Sequence, residues 1–213
     1  VVSEVRQALN PHPAGQMEQN IPRVNGEPVN GIQHKYGQTV LFFPSSGQVC
    51  HSYCTFCFRW AQFVGDQSLK IAAKESGQLC DYLREHPEVT DVLITGGDPC
   101  IMRDEGLERV LARLAEKEPV YRIRIGTRTP VVLPMRWTDS YVKMISQFHE
   151  PGRREIAIVT HFEHPYEITP EAMAAVQKIK KTGMSVYNQQ VFTVENSRRF
   201  ESAKLRRDLR LIG

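Results

Sequence analysis

The segment Val89-Thr-Asp-Val-Leu-Ile-Thr95 decides the fold that this sequence predicts. It is short, apolar and rich in β-branched residues. It ends at the turn Gly96-Gly-Asp-Pro99, and an amphipathic stretch of helix length follows at residues 104–118. A buried strand, a turn and a helix in this order form the repeating unit of a parallel sheet. The same order recurs along most of the chain.

Five units of this kind follow one another from residue 40 onward. The predicted strands are Val40–Phe43, Val89–Thr95, Tyr121–Gly126, Glu155–Phe162 and Ser185–Phe192. The predicted helices cover residues 68–86, 104–118, 138–149, 170–182 and 198–211. Because parallel strands that alternate with helices are joined by right-handed crossovers, the sequence predicts an α/β protein with a parallel sheet.

Polar residues follow these strands at their C-terminal ends, where barrel enzymes build their active sites. They lie at residues 96–99, 126–130, 161–165 and 188–190. This placement favours a partial parallel (β/α) barrel over a doubly wound open sheet. We predict the barrel over residues 40–213. An arm at residues 1–39 precedes it, whose many prolines and glycines leave little room for helix or strand.

The two ends of the sequence indicate a fragment. The chain begins with Val1 instead of methionine, and its last predicted helix ends next to Gly213. We therefore expect the fifth strand to have an unpaired edge. Self-association into a homo-oligomer or a further C-terminal segment would cover that edge.

Composition excludes several classes of protein. With 213 residues, 41% hydrophobic and 24% charged, the chain is typical of a soluble globular protein. The net charge of +3 is spread along the sequence, so a nucleic-acid surface is not indicated. No apolar run reaches the roughly 18 residues of a membrane span, and no signal peptide opens the chain. These features predict a cytoplasmic protein.

Three of the five cysteines, Cys50, Cys54 and Cys57, lie within eight residues of one another after the first predicted strand. An odd number with this clustering is no disulfide framework. One interpretation is the apolar face of a helix, but the intervening residues are poor helix formers. Another is a zinc site completed by His51, although adjacent Cys50 and His51 would reach two corners of a tetrahedron with difficulty. The third, which we favour, is a four-iron cluster on three thiolates with one iron open to a small molecule.

Several strings together resemble the lysine 2,3-aminomutase family of radical S-adenosylmethionine (radical SAM) enzymes. They are the cysteine loop, Thr95-Gly-Gly-Asp-Pro99, Arg128-Thr-Pro-Val-Val-Leu-Pro134, Thr160-His161 with His164-Pro165, Asn188-Gln189, and the arm segment 28–36. The resemblance implies a 4Fe-4S cluster whose open iron is chelated by SAM, and an electron that splits SAM to start a radical reaction. The radical reaction would be an isomerisation, a 2,3-amino shift on an amino acid.

The resemblance also implies roles for individual residues. Cys50, Cys54 and Cys57 would hold the cluster. Gly96, Gly97 and Asp98 would receive the methionyl amine of SAM, and His161 and Gln189 would contact the rest of that molecule. Arg59 would bind the substrate carboxylate. Each position also has an ordinary explanation: a βα turn capped by Asp98, a surface arginine, and a structural histidine.

Partners and further cofactors follow from the same resemblance. It implies a small-molecule amino acid substrate and an electron donor such as flavodoxin or ferredoxin. Pyridoxal phosphate belongs to the family's chemistry, but no lysine of this sequence falls at the C-terminal end of a predicted strand. A pyridoxal-independent radical reaction on the same scaffold therefore stays open. So does a zinc-stabilised binding module, for example for RNA, which rests on His51 and the cysteines.

Overall fold

A computed structural model of the chain describes residues 2–9, 11, 15, 18–63, 67–74 and 76–213. Position 75 of the predicted helix 68–86 lies outside these residues, as do positions 1, 10, 12–14 and 16–17 of the predicted arm. Among the described residues, no helix combines the length and apolar character that crossing a membrane requires.

A six-stranded sheet organises the described chain. A small hairpin of β1 (Arg23–Val24) and β2 (Glu27–Pro28) precedes it. The sheet strands are β3 (Ile32–Tyr36), β4 (Thr39–Phe42), β5 (Asp91–Ile94), β6 (Arg122–Gly126), β7 (Glu155–Thr160) and β8 (Ser185–Asn188). They are paired in chain order, and every pair except the antiparallel β3 and β4 is parallel. The C-terminal ends of β4 to β8 therefore lie along one edge of the sheet.

Among the described residues, five of the seven helices correspond to predicted ones. The seven are α1 (Val2–Leu9), α2 (Gly77–Glu85), α3 (Asp104–Ala115), α4 (Thr129–Val132), α5 (Asp139–Ser146), α6 (Pro170–Lys181) and α7 (Arg199–Ile212). Side-chain caps begin two of the longer ones: the hydroxyl of Thr138 accepts from the Tyr141 N–H, and that of Thr169 from the Ala172 N–H. The five predicted strand and helix units are present, although the fifth strand ends at Asn188 instead of Phe192, and the parallel pairing of their strands is confirmed.

The two faces of the sheet differ in chemistry. Val92, Ile123 and Ile156 lie side by side in the register, and all three are fully buried in the core with residues of α2, α3 and α5. The alternate residues of the same strands point to the opposite face. Arg124 there pairs with Asp91 of β5, at 2.9 Å. This opposite face is less uniformly buried: Ala157 and Val159 of β7 are buried there, whereas Leu93 and Arg124 are only partly so.

Two expectations about local structure are wrong. The arm contains a helix and three strands, and its strand β3 is the edge of the main sheet, where Ile32 is fully buried opposite Phe42. The helix expected from residue 68 begins only at Gly77. Before it, Ala73 pairs with the chain beyond β4, since its N–H donates to the Phe43 carbonyl and its carbonyl accepts from the Ser45 N–H. Backbone pairing overrides local propensity in both places, with β4 for strand β3 and with residues 43–45 for Ala73.

Candidate active site

A pocket of about 290 Å³ opens at the C-terminal edge of the parallel strands. It contains all nine residues to which the sequence assigned a role: Cys50, Cys54, Cys57, Arg59, Gly96, Gly97, Asp98, His161 and Gln189. Its remaining walls are largely apolar, with Leu41 and Leu93 from the sheet and Phe56 and Phe58 from the cysteine loop. The structure thus brings together residues up to 139 positions apart in the sequence. The ligands assigned to these residues stay predictions.

The cysteine loop, residues 44–59, is not a helix. Short turns carry it from β4 to a 3-10 turn at Trp60–Gln62, and Tyr53 adopts a positive φ of 44°. Cys50, Cys54 and Cys57 are reduced cysteines of intermediate exposure. The helix-face interpretation of the three cysteines is therefore wrong.

His51 is exposed to solvent. Within the described ranges, no three His, Cys, Asp or Glu side chains are arranged to hold a metal ion. A mononuclear zinc site needs four donors within roughly 2.3 Å of one point, so the zinc alternative gains no support here. Three thiolates that bind three different irons of a cluster stand farther apart than the ligands of a single ion.

The Gly-Gly-Asp turn after β5 packs directly on the cysteine loop. The Gly97 N–H donates to the Gly47 carbonyl at 3.1 Å, and the Asp98 N–H donates to the Val49 carbonyl at 3.0 Å. A Cβ atom on Gly97 would lie 2.2 Å from the Val49 carbonyl oxygen. The close backbone approach that the glycine permits is thus to the protein's own loop, one residue before Cys50.

Asp98 is almost fully buried, and the protein itself uses most of its carboxylate. Its Oδ1 accepts from the Thr127 hydroxyl at 2.6 Å and the Cys100 N–H at 3.0 Å, and its Oδ2 accepts from the Arg128 N–H at 2.8 Å. Burial raises the pKa of Asp98, and these three donors act against that rise. Of about four acceptor positions on a carboxylate, one on Oδ2 is left for a ligand. The capping explanation of Asp98 is confirmed, and contact with an amine stays a prediction.

Arg128 contacts residues from several parts of the pocket, which its position in the sequence does not indicate. Its Nη1 donates to the Cys54 sulfur at 3.0 Å, and its Nε donates to the His161 carbonyl at 3.3 Å. Its Nη2 forms an ion pair with Glu167, and its guanidinium lies 5.3 Å from the ring centroid of Phe56. Sequence reasoning placed Arg128 near the pocket only through its position after a strand, and no pattern indicated the contact with a cysteine.

Arg59 is buried, with 8% of its surface exposed. Its Nη2 donates to Gln33 Oε1 at 2.9 Å, and its guanidinium lies 4.6 Å from the Phe43 ring and 5.1 Å from the Phe58 ring. Burial lowers the pKa of Arg59 to about 10. Its Nη1 is buried without a hydrogen-bond partner among the described residues. The surface-arginine explanation is wrong, and the free donor is suited to an anion that enters the pocket.

The polar residues that end β7 and β8 divide into two groups. His161 and Gln189 line the pocket. Asn188 instead ties the two strand ends together, because its Oδ1 accepts from the Phe162 N–H and its Nδ2 donates to the Phe162 carbonyl. His164 caps the turn at Pro165–Glu167 by accepting from the Tyr166 N–H. Neither Asn188 nor His164 contributes to the pocket lining.

Known proteins resemble the chain over most of its length, although no family model matches it. The L-lysine 2,3-aminomutase of Methanococcus maripaludis is 36% identical over 176 residues, or 83% of this chain and 39% of that protein. The L-lysine 2,3-aminomutase of Clostridium subterminale is 36% identical over 178 residues, 84% of this chain and 41% of that protein. The glutamate 2,3-aminomutase of Clostridioides difficile is 38% identical over 142 residues, 67% and 32% respectively. The chain spans less than half the length of these curated relatives.

Proposed function

Because this chain belongs to the lysine 2,3-aminomutase family, we propose that it is a radical SAM enzyme. In this proposal Cys50, Cys54 and Cys57 hold a 4Fe-4S cluster, and SAM is cleaved there to start a 2,3-amino shift on an amino acid. The parallel sheet and its helices would be the part of a (β/α) barrel that carries this site. An electron donor such as flavodoxin or ferredoxin and self-association of the barrel belong to the same proposal.

The observation that carries the proposal is the meeting of all nine assigned residues in one pocket. Its volume is close to the lower end of the range for small-molecule sites, which runs from about 300 to 1,000 Å³. A fold stabilised only by its core would not need three cysteine thiols and a buried, partly unpaired arginine at one edge of the sheet. Perturbed ionisable groups in a cleft are typical of functional sites.

The donor set also fits a cluster. Burial raises the pKa of the Cys57 thiol to about 11, and burial likewise raises that of Cys54, against which Arg128 acts. Iron must displace the thiol protons, so metal and protons compete for these sulfurs. The Arg128 N–H that donates to Cys54 is the kind of hydrogen bond that tunes iron–sulfur centres. When bound, the cluster would supply the electron that cleaves a carbon–sulfur bond at the sulfonium of SAM.

The residues around the cysteines have separable tasks. Arg59 would bind a carboxylate through its unpaired Nη1. The remaining acceptor position of Asp98 would receive an ammonium group, and His161 and Gln189 would bind polar groups of the nucleoside. Leu41, Leu93 and the two loop phenylalanines give the pocket an apolar wall, which would reduce the access of water to the bound groups.

Pyridoxal phosphate is not supported by the residues at hand. No lysine lies among the pocket-lining residues of the described chain, so no group there would form a Schiff base. The pyridoxal-independent radical reaction is accordingly the second candidate function.

The test of the proposed function is metal analysis after anaerobic purification, followed by incubation with dithionite and SAM. We expect about four irons with matching sulfide per chain, and 5′-deoxyadenosine as a product. Omission of dithionite is the control, because cleavage needs an electron. Stoichiometric zinc without iron would instead support the binding-module alternative.

Replacing Arg128 by methionine is expected to make the reduction potential of the reconstituted cluster more negative. The arginine donates to Cys54, and such a bond favours the more negative, reduced state. Loss of one charge-assisted bond corresponds to a shift on the order of 50 mV for a one-electron couple. Redox titration followed by electron paramagnetic resonance measures the shift.

Arg136→Met is the matched control for this experiment. Arg136 is similarly buried and binds the Cys100 and Met102 carbonyls and Asp104, none of which belongs to the cysteine loop. Equal shifts in the two variants, or none in Arg128→Met, would contradict the contact between Arg128 and the cluster ligand.

A further inference from the structure

Glu163 is a buried carboxylate that lies between His161 and the segment after β8. It is 6% exposed, and its Oε1 lies 3.3 Å from His161 Nδ1. Its Oε2 accepts from the Val191 N–H at 2.7 Å and contacts Asn196 Nδ2 at 3.5 Å. A buried charge of this kind is costly unless every side of it is paired. The pairing here links a pocket residue to the chain just beyond Gln189.

The groups on the far side of Glu163 can only donate. A backbone N–H has no acceptor function, and the orientation of the Asn196 amide is determined by two other bonds. Its Oδ1 accepts from the Thr193 N–H at 2.8 Å, and its Nδ2 donates to the Val191 carbonyl at 2.9 Å. Glu163 therefore has to be an acceptor toward residues 191–196.

If ionised, the same carboxylate is an acceptor toward His161 as well. Since an ionised carboxylate carries no proton, the proton of the contact between Oε1 and Nδ1 belongs to the imidazole. In the neutral ring, a proton on Nδ1 leaves Nε2 as an acceptor, because the hydrogen bond of one nitrogen decides the state of the other. His161 is one of the residues that line the pocket.

We propose that Glu163 is a positioning residue that holds His161 as the neutral Nδ1–H tautomer, so that Nε2 accepts a hydrogen bond from an N–H or O–H group of the bound ligand. The ligand class, a nucleoside cofactor with an exocyclic amine and hydroxyls, rests on the proposed function. The tautomer itself does not. By binding Val191 with its other oxygen, Glu163 also keeps Gln189 beside His161.

Glu163→Gln tests the proposal because an amide has one acceptor and one donor in place of two acceptors. The Val191 N–H needs the amide oxygen, so the amide NH₂ faces Nδ1 and the imidazole proton moves to Nε2. We expect ¹⁵N–¹H correlation spectra of histidine-labelled, full-length chain, purified anaerobically, to show Nδ1–H for His161 in the wild type and Nε2–H in the variant. Asn196→Ala is the control, since it loosens the same loop and leaves the carboxylate in place; its His161 tautomer should be unchanged.

Binding of SAM supplies the second measurement. Glu163→Gln should weaken SAM affinity about fivefold to tenfold, the effect of losing one hydrogen bond. In a His161→Ala background the same change should cost no further affinity, because Glu163 acts through that ring. Wild-type protein with Nε2–H or an imidazolium at His161, an unchanged tautomer in the variant, or additive losses would each overturn the proposal. Wild-type protein that binds no SAM but shows the Nδ1–H tautomer would contradict the proposed function and leave the role of Glu163 intact.

Discussion

Replacement of Cys50, Cys54 or Cys57 by serine is expected to abolish iron retention, each variant holding less than about a tenth of the wild-type iron. A serine alkoxide is a hard ligand and a poor substitute for a soft thiolate. Three protein ligands hold the proposed cluster, so the loss of one leaves a second iron without a protein ligand. Iron and sulfide assays after anaerobic reconstitution measure the effect.

Two cysteines outside the pocket provide controls. Cys80 lies on the buried face of α2, and Cys100 lies fully buried beneath the Gly-Gly-Asp turn. Neither is among the residues that line the pocket. Cys80→Ser and Cys100→Ser should retain nearly all of the iron. If Cys80→Ser lost iron as completely as Cys54→Ser, the assignment of the three ligands would be wrong.

The parallel part of the fold was predictable because the hydrophobic pattern of its sequence agrees with the burial of its residues. In β6 the buried Ile123 and Ile125 alternate with Arg122 and Arg124, and α6 begins with the capping pair Thr169 and Pro170. Strand β3 carries no such signal, because only Ile32 and Gln33 of its five residues are buried. Its existence depends on the antiparallel pairing with β4, a tertiary contact that local composition does not encode.

The membership of the pocket was predictable for a similar reason. Parallel strands end at one edge, so residues that follow them meet there whatever their separation in the chain. The direction of each side chain was not predictable. Asn188 turns toward Phe162 and His164 toward its own turn, whereas Arg128 reaches Cys54. Arg59 is buried because Gln33 of the arm pairs with it, and the arm was expected to lack strands.

Gly97→Ala distinguishes two explanations of the Gly-Gly-Asp turn. A methyl group at this position would lie 2.2 Å from a backbone oxygen of Val49, and no rotamer change relieves a clash between backbone and Cβ. We expect the turn and the loop to separate, with loss of the bonds from the Gly97 and Asp98 N–H groups to Gly47 and Val49. The free energy of unfolding should fall by about 2 to 4 kcal/mol. Iron retention should fall with it, because Cys50 follows Val49 directly.

Denaturant unfolding and iron assays on the same preparations check this expectation. Gly37→Ala is the matched control, since a Cβ there meets nothing within 4 Å and its φ is not in the left-handed region. It should change stability by less than about 0.5 kcal/mol. Suppose instead that Gly97→Ala unfolds like the wild type and keeps its iron, yet loses affinity for SAM. The loop would then tolerate the methyl group, and the glycine would serve the approach of a ligand, as the sequence alone predicts. If Gly97→Ala is instead less stable than the wild type before any ligand is added, the contact with the cysteine loop explains why position 97 is a glycine.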